Sequence, residues 1–171
     1  RSALKPFQAL PFVSSGTAEK INCGERGLAI CCGSHSGTAY HAREAFKLLW
    51  DSELDVSKLQ CPIPNNRKSP LEHNCSGKHS AFLATCKKMS WPLENYLQGN
   101  HPLQGEIIRR IAELLGLPSE ELVAARDDCG APTLLLSINQ MALLYAHLSG
   151  SHLAELEQIS RAMISFPDLV A

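Results

Sequence analysis

Apolar positions along the 171-residue chain recur mostly at helical spacing. Ala42, Ala45, Phe46, Leu49 and Trp50 share one face of a helix that Ser36 or Thr38 can cap. Ile107, Ile108, Ile111, Leu114 and Leu115 form a second such face, opened by Asn100-His101-Pro102 and ended by Gly116. Phe82, Leu83, Thr85, Cys86 and Met89 belong to a helix that Asn74 or Ser76 can cap, with Gly77 permitting a close backbone approach. A short helical turn is predicted over 117–121, and two further helices over 137–148 and 151–165.

Other stretches break this period. Gly27-Leu28-Ala29-Ile30-Cys31-Cys32 is an unbroken apolar run of strand length between glycines, and reads as a buried strand. Residues 7–12 are interrupted by prolines, 51–70 are loop-like around the stiff Cys61-Pro62-Ile63-Pro64, and 125–133 interrupts every periodicity. Helices outnumber strands, so the fold class expected is α+β, as the helix-rich portion of a larger domain. The chain opens without Met and closes on Phe166-Pro167-Asp168-Leu169-Val170-Ala171 without a polar tail. The expectation is one domain over 1–171, incomplete at both ends.

Hydrophobic residues at 44% and charged ones at 19% fit a globular protein rather than a disordered chain. Sixteen basic and seventeen acidic side chains leave a net charge of −1 with no basic block, which argues against nucleic acid and anionic membrane as partners. No apolar run approaches the roughly 18 residues that span a bilayer, and no leader pattern stands at the start. The expected location is cytoplasmic. Seven cysteines, odd in number and irregularly spaced, read as reduced thiols rather than a disulfide framework. His101, His147 and His152 read as surface positions.

Four segments concentrate nucleophiles and ligands. Ser2-Ala3-Leu4-Lys5 puts a hydroxyl and an amine on one helix face if a helix starts there, and such an amine is a base only if burial or positive charge lowers its pKa. Gly33-Ser34-His35-Ser36-Gly37 sets a hydroxyl and backbone N–H groups before a helix, where an oxyanion is stabilised. Cys75-Ser76-Gly77-Lys78-His79 offers a thiol, an amine and an imidazole, and Asp127-Asp128-Cys129 a carboxylate and a thiol. Two thiolates suit zinc, and a catalytic zinc has three protein ligands, so the third would come from Lys78, His79 or Asp127. Without a ligand role, these thiols are inert buried hydrophobes.

Taken together, Arg1-Ser2-Ala3-Leu4-Lys5-Pro6-Phe7-Gln8, Ser34-His35-Ser36-Gly37, His73-Asn74-Cys75-Ser76-Gly77-Lys78-His79 and Asp127-Asp128-Cys129-Gly130-Ala131-Pro132 resemble the zinc-dependent L-asparaginase II family of the rhizobial type. The resemblance runs along essentially the whole chain. It implies an α/β sandwich similar to serine β-lactamases and glutaminases, hydrolysis of L-asparagine to L-aspartate and ammonia, and a homodimer. It further implies Ser2 as nucleophile with Lys5 as partner, and Ser34 in a second Ser-Lys pair whose lysine lies beyond Ala171. By the same resemblance Cys75, Lys78 and Cys129 are zinc ligands, while Arg1, His79 and Asp127 meet the substrate. Residues 1–171 alone are accordingly expected to show little or no asparaginase activity. A glutaminase or β-lactamase-like serine hydrolase shares Ser-x-x-Lys without needing zinc. A non-catalytic zinc or redox-sensing module would use the cysteines and leave Ser2 idle.

Overall fold

A computed structural model describes residues 2–150 and 153–171, without the side chain of Ser2. Arg1, His152 and the expected helix start at 151 therefore lie outside the described residues. The molecule is helix-rich with one two-stranded sheet, compatible with an α+β class.

The main departure from the sequence reading lies at the centre. The apolar run at 27–32 is not a strand but the body of helix α4 (Gly24–Cys32). An unbroken apolar run suits any element buried on all sides, whatever its period. Here Leu28 to Cys32 are all buried, because other helices enclose α4. Before it come α1 (Lys5–Gln8), α2 (Leu10–Ser14) and α3 (Thr17–Lys20). Pro6 and Pro11 interrupt nothing, since each occupies a first-turn position whose missing N–H has no intrahelical partner.

Helix α5 (Ala39–Asp51) begins after Thr38, whose backbone N–H donates to His41 Nδ1 at 3.2 Å. Residues 51–70 hold a single 3₁₀ turn, Val56–Lys58, and a second opens at Pro70. Helix α6 (Ser76–Lys88) has Cys75 at its N-cap, not Asn74 or Ser76. Helix α7 (Pro102–Leu115) is capped by His101, which is buried rather than at the surface. Its Nδ1 accepts the Leu103 N–H at 3.2 Å and its Nε2 donates to the Pro92 carbonyl at 2.9 Å. The aperiodic stretch after α7 is an antiparallel hairpin of β1 (Val123–Arg126) and β2 (Pro132–Leu135), in register from Val123↔Leu135 to Arg126↔Pro132. Helices α8 (Ile138–Gly150), α9 (Ala154–Ser165) and α10 (Pro167–Val170) complete the chain.

Enclosing α4 are α5, α6, α9 and α10, with α1 on a further side. Two close approaches fix its C-terminal end. A Cβ on Gly77 would lie 2.2 Å from the Ile30 carbonyl oxygen, and one on Gly33 would lie 1.9 Å from that of Val170. Glycine at both places thus lets the end of α4, the start of α6 and α10 meet backbone to backbone.

Candidate functional site

Lys5, the first residue of α1, points its side chain into that junction and is fully buried. Its Nζ lies 2.6 Å from the Gly33 carbonyl oxygen, 3.1 Å from that of Asn74, and 2.5 Å from Ser34 Oγ. Two of these partners can only accept. The amine donates to both carbonyls and to Ser34 Oγ, so three acceptors from separate parts of the chain fix its nitrogen in one place. Burial lowers the Lys5 pKa, with the neighbouring Lys78 adding to the effect and Cys75 opposing it.

The loop that carries Ser34 is held at both ends. Ser34 N–H donates to the Val170 carbonyl at 2.7 Å. His35 Nδ1 accepts the Gly37 N–H at 3.1 Å, so its Nε2 carries the proton and donates to Ser76 Oγ at 3.0 Å. Ser76 in turn donates to the Leu71 carbonyl at 2.8 Å. Burial, with His41 stacked 5.0 Å away, pushes the His35 pKa down to about 3.

Beside Lys5, the ligand atoms of Cys75, Asp127 and Cys129 all lie within 4.8 Å of one another. The hairpin delivers the last two. Its turn closes through Asp127 N–H to the Ala131 carbonyl at 2.9 Å, and Gly130 takes a φ of +82° that suits glycine. Gln8 Nε2 donates to the Pro132 carbonyl at 3.0 Å and ties the hairpin to α1. Lys78, buried on α6, lies 3.3 Å from Cys129 Sγ and 3.8 Å from Asp127 Oδ2.

Cys75 differs in kind from the chain's inert thiols. The Cys129 thiol bonds to it and Lys78 and Lys5 stand near, so its pKa is lowered against the cost of burial. Cys129, which supplies that proton and is itself buried, moves the other way. The pair therefore shares a proton and readily carries negative charge. By contrast, burial pushes Cys61 and Cys86 up to about 12. The Cys31 and Cys32 thiols donate to the carbonyls of Gly27 and Leu28 within α4. All seven cysteines are free.

These donors suit a metal ion. Two sulfurs, a carboxylate and an amine surround one buried spot, and closely set groups of this kind hold a dication when the thiols ionise. His79 lies alongside, buried on α6, with its Nδ1 2.7 Å from the Tyr96 hydroxyl. Its Nε2 has no hydrogen-bond partner among the described residues, although the Cys129 sulfur is close enough for each group to act on the other's charge. Burial lowers the His79 pKa to about 4.

Of the residues read from sequence, Lys5, Ser34, Cys75, Lys78, His79, Asp127 and Cys129 gather around this junction. Arg1 and the side chain of Ser2 lie outside the described residues; among those described, Ser34 brings a hydroxyl to Lys5. Asn74, His35 and Tyr96 were not singled out for the contacts they make. For Tyr96 a signal existed, since a buried phenol requires a polar partner. A cleft of about 390 Å³ opens beside the site, lined by His35, Ser36, Pro64, Arg67, Glu72, His73 and Asn74. A larger depression of about 610 Å³, around Gly16, Glu19, Glu25 and Arg161, has none of these site groups in its walls. The profile of the L-asparaginase II family matches residues 1–171. No curated protein matches the chain.

Proposed function

We propose that this chain, which belongs to the L-asparaginase II family, carries a Ser-Lys apparatus and a zinc site that serve the hydrolysis of the side-chain amide of L-asparagine to L-aspartate and ammonia in the complete protein. The observation that carries this reading is the Lys5 amine, 2.5 Å from the Ser34 hydroxyl and in electrostatic contact with Cys75 of the buried ligand group. Hydroxyl, base and metal donors thereby form one site rather than two.

An amide is a poor electrophile, so its hydrolysis requires an activated nucleophile and a proton for the departing nitrogen. A lysine with lowered pKa supplies both, taking the hydroxyl proton and returning it to ammonia. Ser2, three positions before Lys5, attacks the amide carbon as its proton passes to the Lys5 lone pair, while Ser34 accepts from the amine and keeps it oriented. Water then releases aspartate from the serine ester. Cys75, Cys129 and Lys78 hold the zinc, the lysine as a neutral amine, and Asp127 and Arg1 receive the substrate's ammonium and carboxylate groups. When bound, zinc supplies the fixed positive charge that organises the two thiolates and orients a polar substrate.

Trapping the acyl-enzyme from asparagine and mapping the modified peptide tests the assignment in the complete protein. The expected site is Ser2, with Ser2→Ala losing at least ~100-fold in kcat. An ester mapped to Ser34 would move the nucleophile there. Full activity in Ser2→Ala and Ser34→Ala together would refute a serine nucleophile, and a wild type without activity would leave only a metal-binding module. Removing zinc with a chelator is expected to raise KM more than it lowers kcat. Complete loss of kcat in a folded protein would contradict the positioning role.

A further inference from the structure

Tyr96 is fully buried, and its hydroxyl lies between two groups. The backbone N–H of Gln60 donates to it at 2.9 Å, and His79 Nδ1 lies 2.7 Å away. A backbone N–H can only donate, so the phenol oxygen accepts there and its own proton needs another acceptor. Among the described residues that acceptor is His79 Nδ1. If Nδ1 carried a proton, in either the other neutral tautomer or the charged ring, the phenol proton would be buried without a partner. Such an orphan costs about 1–3 kcal/mol.

We propose that Tyr96 is a positioning residue that fixes His79 in the Nε2–H tautomer, so that Nε2 presents a proton rather than a ligating lone pair and His79 is not a ligand of a metal held by Cys75, Asp127 and Cys129. The nitrogen concerned is buried and has no hydrogen-bond partner among the described residues, and His79 is not one of the three groups whose ligand atoms converge. Packing holds the ring in this orientation. Tyr96 stands edge-on to it at 5.6 Å and 79°, Phe82 packs at 6.0 Å, and Tyr96 and Phe82 brace each other at 6.4 Å. Gln104 Nε2 donates to the Tyr96 carbonyl at 2.8 Å and anchors its backbone. A protonated Nε2 leaves the coordination positions to other groups and can act only as a donor, the role that outer partners of metal sites take.

Only the effect on turnover depends on the reaction proposed above; the tautomer stands apart from it. Nitrogen-15 labelling of histidine in the complete protein reads which ring nitrogen is protonated, with His79 assigned through His79→Gln. The expected result is a protonated Nε2 and a bare Nδ1, both before and after one equivalent of Zn²⁺ is added. A protonated Nδ1 in the wild type, or loss of the Nε2 proton when zinc binds, would overturn the proposal. Tyr96→Phe keeps the ring and removes the hydroxyl. It is expected to shift the His79 nitrogen signals towards a mixture of tautomers and to lower kcat/KM ~10- to 100-fold. A folded Tyr96→Phe protein with unchanged nitrogen signals would also overturn the proposal, and if that variant does not fold, the wild-type spectrum decides. Wild-type protein that shows the expected tautomer but releases no ammonia from asparagine supports the positioning role and refutes the enzymatic reading.

Discussion

Lys5 and Cys75 have their chemistry set by what surrounds a single atom. Two carbonyls and the Ser34 hydroxyl oxygen fix the Lys5 nitrogen, and burial lowers its pKa. Cys75 ionises more readily because a second thiol and two amines stand around it, whereas Cys32 has a carbonyl partner in its own helix and stays a thiol. Cys75→Ser and Cys129→Ser are therefore expected to lose stoichiometric zinc, while Cys32→Ala and Cys86→Ala retain it. Elemental analysis of the purified variants checks this, and equal retention in all four would remove the metal site. Both cysteines and both lysines could be picked out by residue type and neighbourhood. The Asn74 carbonyl that holds Lys5 could not, because a main-chain acceptor leaves no mark on residue identity.

Helices α5 and α7 announce themselves through a stripe of apolar residues with one wet face. Helix α4 does not, because from Gly27 to Cys32 it is buried all round, while α6, buried from Ser76 to Cys86, is read as a helix through its cap candidates and the spacing of Phe82, Leu83, Cys86 and Met89. In α6 the polar residues Lys78, His79 and Thr85 lie inside, each with a partner waiting: Cys129, Tyr96 and the Ala81 carbonyl. Periodicity reports the boundary between core and water, so it falls silent where that boundary is absent. The α4–α6 crossing depends instead on Gly77, and Gly77→Ala is expected to destabilise the protein by about 2–3 kcal/mol through collision with the Ile30 carbonyl. Gly105→Ala, in α7 with nothing near its added methyl, is expected to stabilise by about 0.5–1 kcal/mol. Urea unfolding of both variants tests the contrast. Equal effects would mean that the crossing is looser than described.

For the whole molecule, buried neutral histidines couple folding to pH. The unfolded chain binds a proton on His35 near pH 6.5, while the folded state resists until about 3. The unfolded state therefore holds more protons between these values, and stability falls as the pH drops through that window. His79, held down to about 4, acts in the same direction. At about 1.4 kcal/mol per pH unit for each group, the loss between pH 7 and pH 4 is on the order of a few kcal/mol for each histidine. His35→Gln is expected to flatten this profile when urea midpoints are measured across the range, and an unchanged slope would show that other groups govern acid unfolding. Among the described residues no helix is long and apolar enough to cross a membrane. At this scale the helical class was readable from spacing, and the family from four motifs in order. The meeting of α1, α4, α6 and the hairpin turn was implied by the resemblance alone and not by spacing, since it depends on contacts such as that of Gln8 with Pro132, 124 positions apart.

The amine at the centre of the site offers the most direct measurement. Ammonia release from L-asparagine is to be followed in the complete zinc-loaded protein and in Lys5→Met, which keeps the chain's length and removes the base. The wild type is expected to produce aspartate and ammonia in equal amounts, and Lys5→Met to lose ~10²- to 10⁴-fold in kcat with its zinc retained. A Lys5→Met protein as active as the wild type, or a wild type that leaves the amide intact, would contradict the account.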